Sequence, residues 1–215
     1  MMNFIQKKFI KVHLGDKKIR SHIDAVHAQP PKADKFTDDI VAGVVNRINC
    51  SGIIATVSRT KIDLNRPRNE HNRDAIDEYR QTIKDILAHI SILEENNTLS
   101  RHYLHLAIHG MRDNEDNGIE IGTLYGKSCS PEIKDWLIEE IGKNIKRLQI
   151  DRRFPGDSSK SVHRCGDEVS DPNYFGYGVN FNTFQIEISR TLREKHQGEL
   201  IEIFCRLIED FNKKF

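Results

Sequence analysis

Long apolar runs are missing from this chain. The longest, GIIATV at 52 to 57 and HLAIHG at 105 to 110, fall far short of the roughly 18 residues that a membrane helix needs. No membrane-spanning segment is expected. An excess of charge is missing as well: 33 Lys and Arg stand against 32 Asp and Glu, a formal charge of +1, and the two signs are interleaved along the chain. Such a balance supplies no whole-chain field for nucleic acid or an anionic membrane surface, so neither is an expected partner. Cysteine is sparse. The four, Cys50, Cys129, Cys165 and Cys205, form no CxxC pair and belong to no small secreted frame, so they read as reduced, structural thiols. The opening MMNFIQKKFIKVHLGDKK lacks the continuous apolar segment of a signal peptide, which makes the cytoplasm the expected compartment. Internal repeats and low-complexity tracts are absent.

What is present is an alternation of short β-rich apolar runs with long amphipathic stretches, the pattern of helices packed on a mostly parallel sheet. The expected fold is α/β, a three-layer αβα sandwich with a mixed, mostly parallel central sheet. A length of 215 residues suits one domain over 1–215. Strands are expected at IDAVHA (23–28), GIIATVS (52–58), YLHLAIHG (103–110) and FNTFQIEIS (181–189). Apolar residues at helical spacing predict helices over 38–48, 72–95, 130–148 and 193–215. In the third of these, Ser130 stands at the cap and Pro131 at the first helical position. Residues 149–179, rich in Asp, Gly, Ser, Pro and Arg, show no period and are too long for an ordinary connection, which points to a substrate loop.

Chemistry-bearing residues cluster where these strands end. His27 and His109 close two of them, and the carboxyl edge of a parallel sheet is where sites assemble. Two imidazoles and a carboxylate make a zinc-type donor set, with Asp34, Asp38 and Asp39 as candidate acids. After the second strand, SRTKIDLNRPRNE (58–70) gathers Arg59, Asp63, Asn65, Arg66 and Arg68. A guanidinium fork beside an amide suits capture of a carboxylate; a solvated charged turn is the plainer reading. Glu187 lies within an apolar strand, where a carboxylate needs a task or a partner if buried. General base is the task it fits. Alternatively, its place opposite Phe184, Ile186 and Ile188 would turn it to solvent.

The strings SRTKIDLNRPR, LAIHGM, IEIGTLYGKSC and FQIEISRTLR together resemble the N-formylglutamate amidohydrolase family, in order and over most of the chain. That family is in turn similar to the wider zinc carboxypeptidase and deacylase group. The resemblance implies a metal-dependent hydrolase of amide bonds, with zinc held by His27, His109 and Asp38. Asp38 follows because a Thr-Asp pair opening a helix is how the family presents its acid. It also implies Glu187 as general base, Arg59 as oxyanion stabiliser, and Asn65 with Arg66 as the grip on a substrate carboxylate. The implied substrate is a small N-acyl amino acid or a γ-glutamyl compound. A peptidase and a carboxylate-binding protein without catalysis are the alternatives on the same fold. The chain departs from the family pattern at AVHAQPPKADKFTDDI, which lacks the usual proline-histidine pair, and at NYFGYGVNFN, which lacks a glycine pair before the last strand.

Overall fold

The computed structural model describes residues 3–113, 118–156 and 158–215, without the side chains of 158–160. One eight-stranded mixed sheet runs through it in the order β1-β2-β4-β3-β5-β8-β6-β7. The strands are β1 (Ile5–Gln6), β2 (Ile10–His13), β3 (Ser21–Ala25), β4 (Ser51–Ala55), β5 (Tyr103–Met111), β6 (Ile119–Gly122), β7 (Leu148–Ile150) and β8 (Phe181–Ser189). Helices α1 (Thr37–Ile48), α2 (Arg73–His89), α3 (Pro131–Gly142), α4 (Ser158–Cys165), α5 (Arg190–Lys195) and α6 (Gln197–Lys214) complete the chain. Pairings β3–β4, β3–β5, β5–β8 and β6–β7 are parallel, whereas β1–β2, β2–β4 and β6–β8 are antiparallel. The α/β class and the mostly parallel sheet expected from the sequence are therefore present.

The central strands are buried on both faces, because each face carries its own core. On one side Leu104, Leu106 and Ile108 of β5 and Phe184, Ile186 and Ile188 of β8 pack under α1, α3 and α6, meeting Val44, Trp136, Leu137, Phe204 and Phe211. Each fully buried aliphatic or aromatic side chain there contributes about 1.5–3 kcal/mol of transfer free energy. On the other side Ile53, Tyr103 and Phe181 meet Tyr79, Ile83 and Ile86 of α2. Between these apolar ends the second face carries a column of buried polar residues: His22 and Asp24 on β3, His105 and His109 on β5, Thr183, Gln185 and Glu187 on β8. Its upper end opens at the carboxyl edge of the parallel strands.

Several boundaries differ from the expectation for local reasons. The helix expected over 72–95 stops at His89, and Ser91 and Asn97 then take left-handed backbone (φ 58° and 62°) as the chain doubles back to bridge Leu93 with Leu99. The helix expected over 130–148 ends at Gly142, after which the chain feeds the edge strand β7. Ser130 stands at its N-cap, but its hydroxyl donates to the Val179 carbonyl at 3.1 Å instead of capping the helix. The last helix is broken at His196 into α5 and α6. Four strands escaped the sequence pattern: β1 and β7, with two and three residues, and β2 and β6, with four each, are too short to show alternation.

The segment 149–179 carries α4 and an Asp167–Asp171 bridge, and the described part of it is clasped to α2. The Arg80 guanidinium, 8% exposed at its side chain, bonds Asp167 at 2.5 Å and Asp171 at 3.1 Å. It also lies 4.2 Å from the centroid of the Tyr174 ring. Burial alone would raise the Asp167 pKa, but bonds from Ser170 and Arg80 outweigh it and hold the carboxyl below its ordinary value. A depressed pKa gives stability that is present above the ordinary carboxylate range and lost as pH falls through the folded value. Arg80→Met should therefore cost about 3 kcal/mol, the loss typical of removing one member of a buried pair. Urea midpoints test this, and native-state proteolysis of the variant should nick 158–179 first. An unchanged midpoint would show that the clasp carries no net stability.

Candidate metal centre and cavity at the carboxyl edge

Parallel register assembles the site. β5 and β8 pair so that His109 stands beside Glu187. β3 ends at Ala25, two residues before His27, on the flank of β5. From His27 the chain loops outward and returns, the Asp34 N–H donating to the His27 carbonyl at 2.8 Å, so that Asp34 lies over the strand ends. His27, Asp34 and His109 are 4%, 9% and 2% exposed. The Nδ1 atoms of His27 and His109 lie 3.4 and 3.6 Å from the same oxygen, Oδ2 of Asp34. The two imidazoles meet edge to face, 4.9 Å between centroids with planes at 76°. Two nitrogens and a carboxylate oxygen thus converge on one point, and the donor types suit zinc.

Each donor is braced from behind. Asp63 accepts from Nε2 of His27 at 2.7 Å, which commits that nitrogen to the carboxylate and turns Nδ1 inward. A carboxylate behind a ligating imidazole is the usual device for fixing its tautomer and orientation. Asp34 accepts from Arg59 Nη1 at 3.1 Å and from the Gly110 N–H at 3.1 Å. Burial would lower the His27 pKa, yet Asp34 and Asp63 overcome it, and the net shift is upward. Burial would likewise raise both acids, but His109 and His27 drive Asp34 well below the carboxylate range. His27 takes Asp63 down to about 2. Both anions are thus held in the charged form.

These donors line a cavity of about 800 Å³ together with Arg59, Asn65, Arg66 and Glu187. The acid that lies with the two histidines is Asp34, not the expected Asp38. Thr37 is buried, its hydroxyl donating to the Asp34 carbonyl at 2.7 Å, and α1 begins there. Asp38 and Asp39 fall in the first turn of that helix, outside the histidine cluster, where they complement its dipole. Arg59 is drawn in against His27 and Asp34. Arg66, 63% exposed at its side chain, stands 3.5 Å from Asp63 at the rim. Glu187 is 6% exposed and Gln185 donates to its Oε1 at 3.0 Å. It does not face solvent, because β8 is covered on both faces.

A second set of donors, His22, Asp24 and His105, lies deeper in the polar column and is fully buried. Its geometry is different. The His22 and His105 rings stack 4.0 Å apart with planes only 12° from parallel, so their in-plane lone pairs run side by side and do not converge on one ion. The cluster is instead a hydrogen-bonded core. His105 Nε2 meets Asp24 at 2.9 Å, the Tyr79 hydroxyl donates to the same carboxylate, and His22 Nδ1 lies 2.8 Å from the Tyr103 hydroxyl. Burial and the Asp24 charge push the Tyr79 pKa up, which keeps it a donor.

Sequence reasoning passed over several residues that shape the site. Asp63 was visible in IDLNRP, but nothing in a linear pattern ties it to His27. Glu120 of β6 stands opposite Glu187 in the antiparallel register. Its carboxylate accepts the N–H groups of Arg152, Arg153 and Phe154, the first at 3.0 Å and the last at 2.6 Å. That bond set places Phe154, Pro155 and Gly156 in the cavity wall. Gly122 lets the same segment approach, since a Cβ there would lie 2.3 Å from the Phe154 carbonyl oxygen.

Fold and site together define an α/β chain with a candidate His-Asp-His metal centre at the carboxyl edge of its parallel strands. Among solved structures this fold is shared with N-formylglutamate amidohydrolase from Ralstonia eutropha JMP134, with a TM-score of 0.66 over 96% of this chain and 99% of that one at 14% identity. A bacteriophage poly-gamma-glutamate hydrolase aligns at TM-score 0.53 and 12% identity, over 94% of this chain and 88% of its own. A candidate carboxypeptidase from Burkholderia mallei aligns at TM-score 0.55 and 13% identity, over 96% of this chain and 60% of its own. No family model and no curated protein sequence matches. The likeness is one of fold, and it agrees with the resemblance that the sequence strings carry.

Zinc titration should find one site per chain, lost in Asp34→Ala and retained in Asp38→Ala. Asp63→Asn should weaken binding about 10- to 100-fold, the usual effect of removing a carboxylate behind a ligand. Any ion taking His27 must displace the proton that Asp34 and Asp63 stabilise there. Apparent affinity should therefore fall as pH drops through a His27 pKa above its ordinary 6.5, with proton release on binding. Chelator competition between pH 5.5 and 8.5 reads this directly, and a flat profile would remove His27 from the centre.

Proposed function

We propose that the chain is a zinc-dependent amidohydrolase that cleaves the amide bond of a small N-acyl amino acid or γ-glutamyl compound. The observation that carries this reading is the convergence of His27, Asp34 and His109 on one point of a cavity whose wall also holds Glu187 and Arg59. The structural neighbours named above, which act on N-formylglutamate and poly-gamma-glutamate by name, support the same class of bond. A zinc ion held by the three donors supplies Lewis acidity, lowering the pKa of water toward about 7 and polarising an acyl carbonyl.

The remaining work falls to the chain. Glu187, with one oxygen fixed by Gln185, takes the proton of the attacking water and returns it to the leaving nitrogen, the ordinary double duty of a general base. Arg59 holds Asp34 through Nη1, and the other donors of its fork remain to stabilise charge on the acyl oxygen. Asn65 and Arg66 line the same cavity and suit the substrate carboxylate, as a planar fork beside an amide does. Lys32, Lys35, Arg112 and Arg190 add exposed cations around it. Four more positive charges at the mouth of a chain with a formal charge of only +1 favour an anionic substrate over a neutral peptide.

Glu187→Gln should keep fold and zinc content, because the amide is nearly isosteric, while turnover drops about 10²- to 10⁴-fold. The measurement is a rate on a panel of formyl, acetyl, succinyl and γ-glutamyl amino acids, beside metal analysis. A variant that keeps more than about a tenth of the parent rate would end the general-base assignment. Arg66→Lys keeps charge but loses the fork; its expected signature is loss of selectivity for acids over the corresponding amides. Unchanged selectivity would take Arg66 out of the pocket.

A further inference from the structure

Arg193 is a buried cation at the same cavity, and its guanidinium bonds the backbone beside Asp34, His109 and Glu187. It sits in α5, directly after β8, with 4% of its surface exposed. Its Nε donates to the Ile188 carbonyl at 2.9 Å, Nη2 to the Met111 carbonyl at 3.1 Å, and Nη1 to the Lys35 carbonyl. Ile188 follows Glu187, Lys35 follows Asp34, and Met111 is two residues past His109. These three stretches of backbone come from β8, the loop before α1 and β5, and among the described residues no strand ladder joins the loop to the two strands. A guanidinium can join them because it presents its donors in one plane with fixed directions.

Gly110 makes the arrangement possible. A Cβ at this position would lie 2.5 Å from Cζ of Arg193, so the fork lies flat against the bare backbone. The other side of that peptide is committed to the site, the Gly110 N–H bonding Asp34 Oδ2 at 3.1 Å. Gly110 thus meets the guanidinium on the side where a Cβ would stand and the Asp34 carboxylate through its N–H.

We infer that Arg193 is a positioning residue: its three carbonyl contacts hold the Asp34 loop, the end of β5 and the end of β8 in the spacing that lets His27, Asp34, His109 and Glu187 act as one site. The inference rests on the reading of those residues as a metal centre and base. It assigns to α5 a role in the site, and it makes Gly110 obligatory for the site's geometry as well as for packing.

The test is zinc affinity, measured by competition with a chromophoric chelator on the full chain. Arg193→Lys keeps a cation but loses the planar fork, and zinc should bind at least about tenfold more weakly, the scale seen when a supporting group is lost. Guanidinium ion added to Arg193→Ala should restore part of that affinity. A role in packing alone predicts a lower melting temperature with parental zinc affinity, and that result overturns the inference. If the Arg193 variants do not fold, Gly110→Ala is measured instead: weakened zinc binding supports the staple and parental affinity overturns it. Failure of the parent protein to bind zinc at all would instead refute the metal reading, and the inference with it.

Discussion

The placement of Asp34 is the constraint on which the rest of the site depends. Its carboxylate is shared by Arg59, the Gly110 N–H and the two flanking histidines, so four groups from three parts of the chain are referred to one acid. A buried carboxylate is costly unless its lone pairs are met, and here meeting them is what draws the β3 loop, the β4 loop and the end of β5 together. The loop between His27 and Asp34 closes on itself through a backbone bond, and Thr37 ties the start of α1 to the same acid's carbonyl.

The architecture was legible where residues carry long-range patterns. FNTFQIEIS declared β8 at its observed bounds, and the apolar spacing of 38–48 and 72–95 declared nearly all of α1 and the whole of α2, overrunning the end of the latter. Strands of two to four residues carry no period, and the left-handed turn at Ser91 sits inside an apolar pattern that still reads as helix. In the site, His27, His109, Arg59, Asn65, Arg66 and Glu187 were visible as strand-end or post-strand residues, and the structure gathers them round one cavity. The acid was not. Three aspartates within six residues are equivalent in a linear pattern, and only the helix start at Thr37, which carries Asp38 and Asp39 outward, separates them. Glu120 and Arg193 were hidden, and the partner of Asp63 was, for a related reason: each bonds backbone or the far side of His27, through contacts that sequence spacing does not encode.

The two histidine clusters on one sheet face show how little composition alone decides. Both hold two histidines and an aspartate, both are buried, and both lie on β3 and β5 or just beyond. In one the rings cross and in the other they lie flat on each other. Ring orientation follows from position: His22 and His105 are direct register partners in a parallel pair, which forces their side chains alongside, whereas His27 stands beyond the end of its strand and is free to turn toward Asp63. A strand terminus is thus a place where the same residue type acquires choice of direction.

The sheet's two outer strands have a bearing on how the protein behaves in a crowded solution. β1 has two residues and β7 three, and lysines or arginines flank them at 7, 8, 146, 147 and 152. An unpaired strand edge is a template for joining another sheet, and brevity with nearby cations is how natural sheets blunt it. The six strands between them, with their apolar faces and continuous ladders, would otherwise be a strong seed for edge-to-edge assembly. Guarding the sheet's margins therefore falls to five residues of strand, none of which lines the cavity.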